Sequence, residues 1–327
     1  MKLKAFLAAA LVALMALSGA PALAQDSYPA KTITLVLPAP PAGATDVLAR
    51  VFADELGKRL KTAVIVDNKP GGGGMLGAAA VARANPDGYT LLFTHAAPIY
   101  YAPHMFSKVQ YDVRRDFAFI TEICTASLVF AVNKDVPARN MNEFIAWAAK
   151  NKGKINYGSY GVGSASHLLS AHLSESRKLD MVHVGYKGEA PMIQDMVAGQ
   201  IPAGIGTLGT MAPHIASGSL RPLAVIGEQR LSDLPQVPTM EEQGFKDAEF
   251  KLVGGVMLMA PAKTPDAVVA RLEKEAREIV QGAPMKARFQ AFGLGAMGNS
   301  SADFRKNFES SGPLIQRLVV VSGAKAD

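Results

Sequence analysis

The sequence predicts an α/β protein built as two lobes, and three observations carry that prediction. Short apolar runs of strand length alternate with stretches of helical periodicity, a pattern that puts helices on both faces of parallel sheets. The 327 residues, 49% of them hydrophobic and 19% charged, suffice for two cores of ordinary size. No period of 20–50 residues repeats itself, which excludes a solenoid. The same composition excludes collagen, coiled coil and extended disorder.

Thr32–Leu37, Ala63–Val66 and Thr90–Phe93 read as buried strands. Between the first two, Val47, Leu48, Val51, Phe52, Leu56 and Leu60 form one apolar stripe at helical spacing, which predicts a helix over Val47–Leu60. Leu128–Val132, Ile155–Tyr157, Met181–Val184 and Leu223–Ile226 supply further strands. Asn140 is placed to cap a helix containing Trp147, with Glu143 closing a capping box. Thr264-Pro265-Asp266 predicts another helix start, with Thr264 as cap, Pro265 in the first turn and Asp266 at the positive end. Its apolar face is Val268, Val269, Leu272, Ile279 and Val280, and Gly282 with Pro284 is its stop. A last helix opens at Ser301 and is expected to break or kink at Gly312-Pro313. Two extended crossings, Leu128–Val132 outward and Leu252–Met259 returning, divide the chain into a first lobe (25–127), a second lobe (128–251) and a return to the first lobe (252–327).

Residues 1–24 have the order of a secretory signal: Lys2 and Lys4, an apolar run Ala5–Leu17, then Ala22-Leu23-Ala24 before Gln25. The apolar run is shorter than the ~20 residues of a membrane span, so cleavage after Ala24 and export are expected. The formal charge is +6, but two of those charges are Lys2 and Lys4 and the other basic residues are scattered. Such a diffuse charge argues against a nucleic-acid partner and fits a small anionic ligand. The lone Cys124 excludes a disulfide framework and any cysteine-based metal site.

Two glycine-rich loops run from a strand into a helix. In the first, Ala42, Gly43, Ala44, Thr45 and Asp46 precede the Val47 stripe. A helix start presents unpaired N–H groups and the positive end of the macrodipole, and small residues let an anion reach them. The alternative is an ordinary helix capped by Thr45 or Asp46. The second loop, Gly158-Ser159-Tyr160-Gly161-Val162-Gly163-Ser164-Ala165-Ser166-His167, leads into Leu168, Leu169 and Leu173. One such cradle per lobe would grip both ends of a dicarboxylate across a cleft. Ser164 and Ser166 read as caps; neither lies in G-x-S-x-G, and the sequence places no Asp or His to complete a triad.

Gly72-Gly73-Gly74-Met75-Leu76-Gly77 matches G-x-G-x-x-G, which would suit an exported nicotinamide oxidoreductase. Asp67-Asn68-Lys69-Pro70 separates it from its strand, however, and Asp87 lies in the turn Asn85-Pro86-Asp87-Gly88 rather than at a strand end. A tight loop leading to the next helix is the better account. His167 and His172 sit about 140° apart on a helix, and His95, His104, His183 and His214 are isolated, so neither metal nor other cofactor is expected. No nucleophile with its base emerges, so a serine hydrolase using Ser164 is disfavoured, and a binding protein is the better reading than an enzyme.

On these residues the chain resembles the Bug-type periplasmic solute receptors of tripartite tricarboxylate transporters. The matching stretches are Tyr28–Lys31, Pro41–Asp46, Val64–Gly71 with Gly73-Gly74, Ala84–Leu92, Asn156–Leu168 and Val184–Gly188. They continue through Ala198–Gln200, Pro213–Ile215 and Leu234–Thr239. The resemblance implies a type II-like periplasmic binding protein fold, with a ligand cleft between two lobes joined by two crossover strands. It implies closure of the lobes over a small carboxylate, and delivery to membrane permease subunits; presentation to a sensor kinase ectodomain is the alternative. It puts the ligand between Ala42–Asp46, the segment Thr94, His95 and Ala96, and the loop bearing Ser159, Tyr160, Gly161, Gly163 and Ser164. Tyr186 and Thr207, in or beside matching stretches, complete the expected site.

Three departures bear on selectivity within the resemblance. Ala39 stands where many members have Phe, and Ala42-Gly43 where they have paired glycines. Gly206 stands where many carry an Asp able to hold an ammonium group. Its absence argues against amino-acid ligands and leaves room for an aliphatic or aromatic mono- or dicarboxylate.

Overall fold

The computed structural model describes residues 28–126, 128–251 and 254–324; the leader and its Ala24 cleavage site lie outside them. The chain opens with β1 (Ile33–Leu37), α1 (Ala44–Leu60), β2 (Val64–Asn68), α2 (Met75–Ala82) and β3 (Thr90–His95). Short helical turns, among them Ala97–Tyr101 and Ala102–Met105, lead to β4 (Phe117–Ala126). There follow β5 (Leu128–Asn133), α3 (Met141–Lys150), β6 (Asn156–Ser159), α4 (Ala165–Ser176), β7 (Val182–Gly185), α5 (Glu189–Val197), β8 (Ala203–Thr207), α6 (Leu208–Ala216) and β9 (Leu220–Ile226). The chain returns through β10 (Gly254–Pro261), α7 (Asp266–Val280), α8 (Ala283–Phe292), β11 (Leu294–Ala296) and α9 (Ser301–Ser322).

Among the described residues these strands form two sheets, β11-β4-β10-β3-β1-β2 and β7-β6-β8-β5-β9. The two-lobe α/β architecture is therefore as the alternating pattern predicts. The sheets are mixed rather than parallel. β1 runs parallel to β2 and β3, and β6 parallel to β7 and β8, but β10 is antiparallel to β3 and β4, and β5 to β8 and β9. The reason is connectivity: β5 and β10 follow the chain's passages between the lobes, and each enters its sheet against its neighbours.

The predicted stripe on the first helix buries Leu48, Phe52, Leu56 and Leu60, while Val47 and Val51 are half-buried. Burying Phe52 or Leu56 fully contributes about 2–3 kcal/mol each. α1 ends where Lys61 adopts a left-handed conformation and returns its N–H to the Gly57 carbonyl. At α3, Asn140 accepts from the Glu143 amide at 2.9 Å, and the Glu143 carboxylate accepts from the Arg139 amide. At α7 the expected cap is absent: the Thr264 hydroxyl donates to the Pro261 carbonyl instead. Pro284 does not simply stop α7, but lies in the first turn of α8, where a missing N–H costs nothing.

The last helix runs through Pro313 unbroken from Ser301 to Ser322. Its first half sets Phe304 and Phe308 against Phe119 of β4, and its second half sinks Ile315, Leu318 and Val319 into the core around β5 and α4. Anchoring on both sides outweighs the one hydrogen bond that proline removes. The C-terminal stretch thus serves both sheets, with an Arg317–Glu249 pair at 2.9 Å reinforcing the second.

Candidate functional site

A cleft of about 690 Å³ opens between the two sheets, at the entry ends of α1 and α4. Its walls combine Ala44, Thr45 and His95 from one lobe with Gly163, Ser164 and Thr207 from the other. A larger cavity, about 970 Å³, lies across the crossing strands, shares Tyr101, Cys124, Gly254 and Gly255 with it, and touches neither helix start.

The first helix start is open. Its N-cap is Gly43, which makes no side-chain cap; the first protein-bonded amide is that of Val47, which donates to the Gly43 carbonyl at 3.0 Å. Among the described residues the amides of Ala44, Thr45 and Asp46 have no acceptor in the protein. Neither Thr45 nor Asp46 is the cap. Asp46 turns its buried carboxylate back under the loop, accepting from the Ala42 amide at 3.0 Å, from Asn68 Nδ2 at 2.9 Å, and twice from Arg50. The Arg50 pairing, with the Asn68 and Ala42 bonds, holds its pKa down at about 2, against the opposing effect of burial. Arg50 thereby neutralises the one anion that would compete with a ligand at this helix end. The Ala42 bond also holds that residue at φ 68, an unusual conformation for an alanine. Replacing Asp46 by Ala is expected to lower unfolding free energy by about 2 kcal/mol and weaken acid binding about tenfold. Urea denaturation and calorimetry check this; unchanged affinity would confine Asp46 to a structural role.

The second helix start is largely closed, with only the Ala165 amide lacking a protein acceptor among the described residues. The Gly163 amide donates to His167 Nδ1 at 3.1 Å, the Ser164 amide to the Gly161 carbonyl, and the His167 amide to Ser164 Oγ. The Ser166 amide faces the Tyr160 hydroxyl. The two loops share one cleft, but they are not equivalent cradles. Ser164 is a cap, as expected, and Ser166 donates at 2.7 Å to the Ile205 carbonyl, a buried structural bond.

Of the expected site residues, Ala44, Thr45, His95, Ala96, Tyr160, Gly163, Ser164 and Thr207 line the cleft. The others stand behind it. Ala42 and Gly43 form the loop before α1, and Asp46 braces it. Thr94 is buried, with its hydroxyl on the His95 carbonyl. Ser159 bonds the Gly161 carbonyl and His183, and Gly161 accepts from Ser159 and Ser164. Tyr186 points away, donating to Asp195 at 2.7 Å. His95 has no proton to spare for an anion. Its Nδ1 accepts from the Ala97 amide, a ring N–H meets the Pro38 carbonyl, and burial keeps its pKa below the usual range.

Gly206 bears on selectivity differently than expected. A Cβ added there would face Met211 and Glu189 inside the second lobe, 2.8 and 3.0 Å away, not the cleft. The glycines of the Gly72–Gly77 match find their reason in packing and backbone conformation, and Gly73, with open space beside it, lines the cleft. A Cβ at Gly77 would press on Pro38 and the Lys69 carbonyl at 3.0 Å, and Gly71 to Gly74 all hold positive φ.

Sequence reasoning missed Tyr101, Met105 and Phe106 on one wall, and Gly254, Gly255 and Leu294 beside the crossing strands. The first three lie in short turns without periodicity; the Tyr100-Tyr101 pair was the available signal. Cys124 also lines the cleft, its buried thiol pushed up to about 12.

Beneath this loop His183 is not the isolated residue its spacing suggests, and the partner of His167 is His183 rather than His172. Their rings stack with centroids 3.7 Å apart, and Tyr157 stacks against both. Burial, then the neighbouring His183, lowers His167 to about 4. Charged groups around the pair are Lys152, Glu175, Lys178 and Asp180, with Lys152 and Asp180 paired at 3.2 Å. The unfolded histidine takes its proton near pH 6.5 and the folded one only near 4. Stability is therefore full above pH 6.5 and falls as the pH drops toward 4, by about 2 kcal/mol after allowing for solvent screening. His167→Asn, which retains an acceptor for Gly163, should flatten that acid limb in denaturation curves taken between pH 7 and 4.

No helix among the described residues is long and apolar enough to cross a membrane. Residues 48–319 match the family described as the tripartite tricarboxylate transporter family receptor. A UPF0065 protein of Bordetella pertussis is 31% identical over 95% of each chain, and protein BugT of the same organism is 32% identical over 82% of each. Periplasmic binding protein BugD superposes with a TM-score of 0.73 at 29% identity, covering 91% of this chain and 99% of its own. Rpa4515 of R. palustris, solved with adipate, gives 0.76 at 26% identity, covering 90% and 98%. Match, relatives and cleft agree: this chain belongs to the receptor family of the tripartite tricarboxylate transporters.

Proposed function

We infer that the chain is an exported receptor, without catalytic activity, that takes up a small carboxylate between its lobes and hands it to membrane permease subunits. The observation that carries this reading is the uncapped start of α1, opening on an interlobe cleft in a member of this family. Unpaired amides and the helix dipole stabilise a carboxylate there without requiring a cationic side chain. A ligand touching both lobes binds the closed arrangement better than the open one and shifts the population toward it. Residues 1–24 act as the export signal, and delivery follows from recognition of the closed form by the membrane subunits. The enzyme readings lose their footing in the site's chemistry: Ser164 is bonded as a cap, Gly77 packs on Pro38, and Gly71 to Gly74 form a turn of positive φ.

A thermal-shift panel of organic acids tests the reading. A bound acid stabilises by RT ln(1 + [L]/Kd), about 2.7 kcal/mol at a hundredfold excess over Kd. Acids that raise the melting temperature in proportion to the logarithm of concentration support it. A panel of mono- and dicarboxylates without any shift contradicts it.

A further inference from the structure

The walls of the cleft say more about the ligand than its volume does. Among the described residues no Lys, Arg, Asp or Glu lines it. Leu48, Tyr101, Met105, Phe106, Val162 and Leu294 contribute apolar surface from both lobes. Four of the polar side chains present are already bonded within the protein. Tyr160 faces the Ser166 amide, Ser164 holds the His167 amide, and His95 is bonded at both ring nitrogens. Thr207 donates its hydroxyl and its amide to Glu189. Among the described residues the start of α1 offers the largest set of backbone donors without a protein acceptor, the Ala44, Thr45 and Asp46 amides; the other donors facing the cleft are neutral hydroxyls, such as that of Tyr101, and the lone Ala165 amide.

The opposite wall is worse than neutral for a second anion. Glu189 lies directly behind Thr207, its carboxylate held by Thr207 and Thr210 hydroxyls at 2.9 and 3.0 Å. No Lys, Arg or His among the described residues pairs with it. A second carboxylate on the same ligand would leave water for an apolar wall with a negative charge behind it. Burying an anion without a partner is strongly unfavourable. A hydrocarbon body there gains free energy from every methylene removed from water.

We propose that this receptor selects amphipathic monocarboxylic acids: one carboxylate on the start of α1, and an aliphatic or aromatic body against Tyr101, Met105, Phe106 and Val162. The proposal rests on the receptor reading and narrows it to a substrate class. It sets this chain apart from the relative solved with adipate, a dicarboxylate.

Calorimetric titration of the full mature chain with hexanoate, benzoate, adipate, succinate and hexanamide tests it. Hexanoate or benzoate is expected to bind at least tenfold more tightly than either diacid, and hexanamide to lose binding relative to hexanoate. Val162→Arg places a cation on the wall at a site 61% exposed, where the fold tolerates it, and should move the adipate-to-hexanoate ratio at least tenfold toward adipate. Adipate or succinate binding as tightly as the best monoacid overturns the proposal while leaving the receptor reading intact. An unmoved ratio in Val162→Arg overturns it as well. If no acid in the set binds, the receptor reading itself fails and the proposal with it.

Discussion

Replacing Gly163 by valine is expected to abolish most ligand binding, lowering affinity at least a hundredfold (about 3 kcal/mol). Gly163 holds φ +73, a left-handed conformation that a β-branched residue adopts only under strain. It also sits where the lobes meet. A Cβ there would overlap Sδ and Cε of Met105, which reaches across from the short turn Ala102–Met105 into the second core. The variant thus wedges the cleft at the point where closure must bring its walls together. The double variant with Met105→Ala separates the two causes. Removing the thioether relieves the wedge but not the backbone strain, so calorimetry should recover part of the lost affinity. Full wild-type affinity in Gly163→Val alone would mean that closure does not pass through this contact.

The second large effect falls on stability. Gly255→Ala should destabilise the protein by roughly 3 kcal/mol or more. Its added Cβ would run into the backbone carbonyl of Cys124, on the neighbouring strand β4. A backbone oxygen in a ladder cannot swing aside as a side-chain tip can, so β10 must leave its register. That register is already irregular, with a shift between Val256 and Met257. Gly254→Ala is the control. Its Cβ would meet only the Ala96 Cβ at 3.6 Å and the Tyr101 hydroxyl at 4.0 Å, ordinary contact distances. Urea denaturation should show the Gly255 variant far to the low side and the Gly254 variant near the wild type. Equal midpoints would argue that the crossing strands are not held by this close approach.

Much of the fold was legible because its signals are local. The stripe from Leu48 to Leu60, the Asn140 and Glu143 cap, and the alternation of short apolar runs each report on a few consecutive residues. Strand direction is not local. Nothing in Gly254–Pro261 announces that it will run against β3 and β4, because that depends on where the chain has been. β8 was hidden for a different reason: Gly204 and Gly206 blunt its apolar pattern, since their missing side chains make room for Met196 and Met211. The run through Pro313 was unreadable because tertiary packing on both halves of α9 overrides the proline.

The site divides the same way. The resemblance implied that both glycine-rich loops border one hollow, and residues of both line the cleft between the sheets. Which loop keeps its amides free it did not imply. At α4 most of the amides are met by His167, Ser164, Tyr160 and the loop's own Gly161 carbonyl; at α1 the candidate cap Asp46 is drawn under the loop by Arg50 and Asn68, and Thr45 does not cap either. These partners lie on other turns and strands, and their arrangement exists only in the folded chain. The stacked pair His167 and His183 was missed for the same reason, sixteen positions of sequence separating two rings in contact.

A crystal structure of the protein with its tightest-binding acid tests the central claim most directly. The carboxylate oxygens should lie within hydrogen-bonding distance of the Ala44 and Thr45 amides, with the remainder of the molecule toward Tyr101 and Met105. An acid bound with its carboxylate on Ser164 and the second lobe, or in the cavity across the crossing strands, would contradict the account.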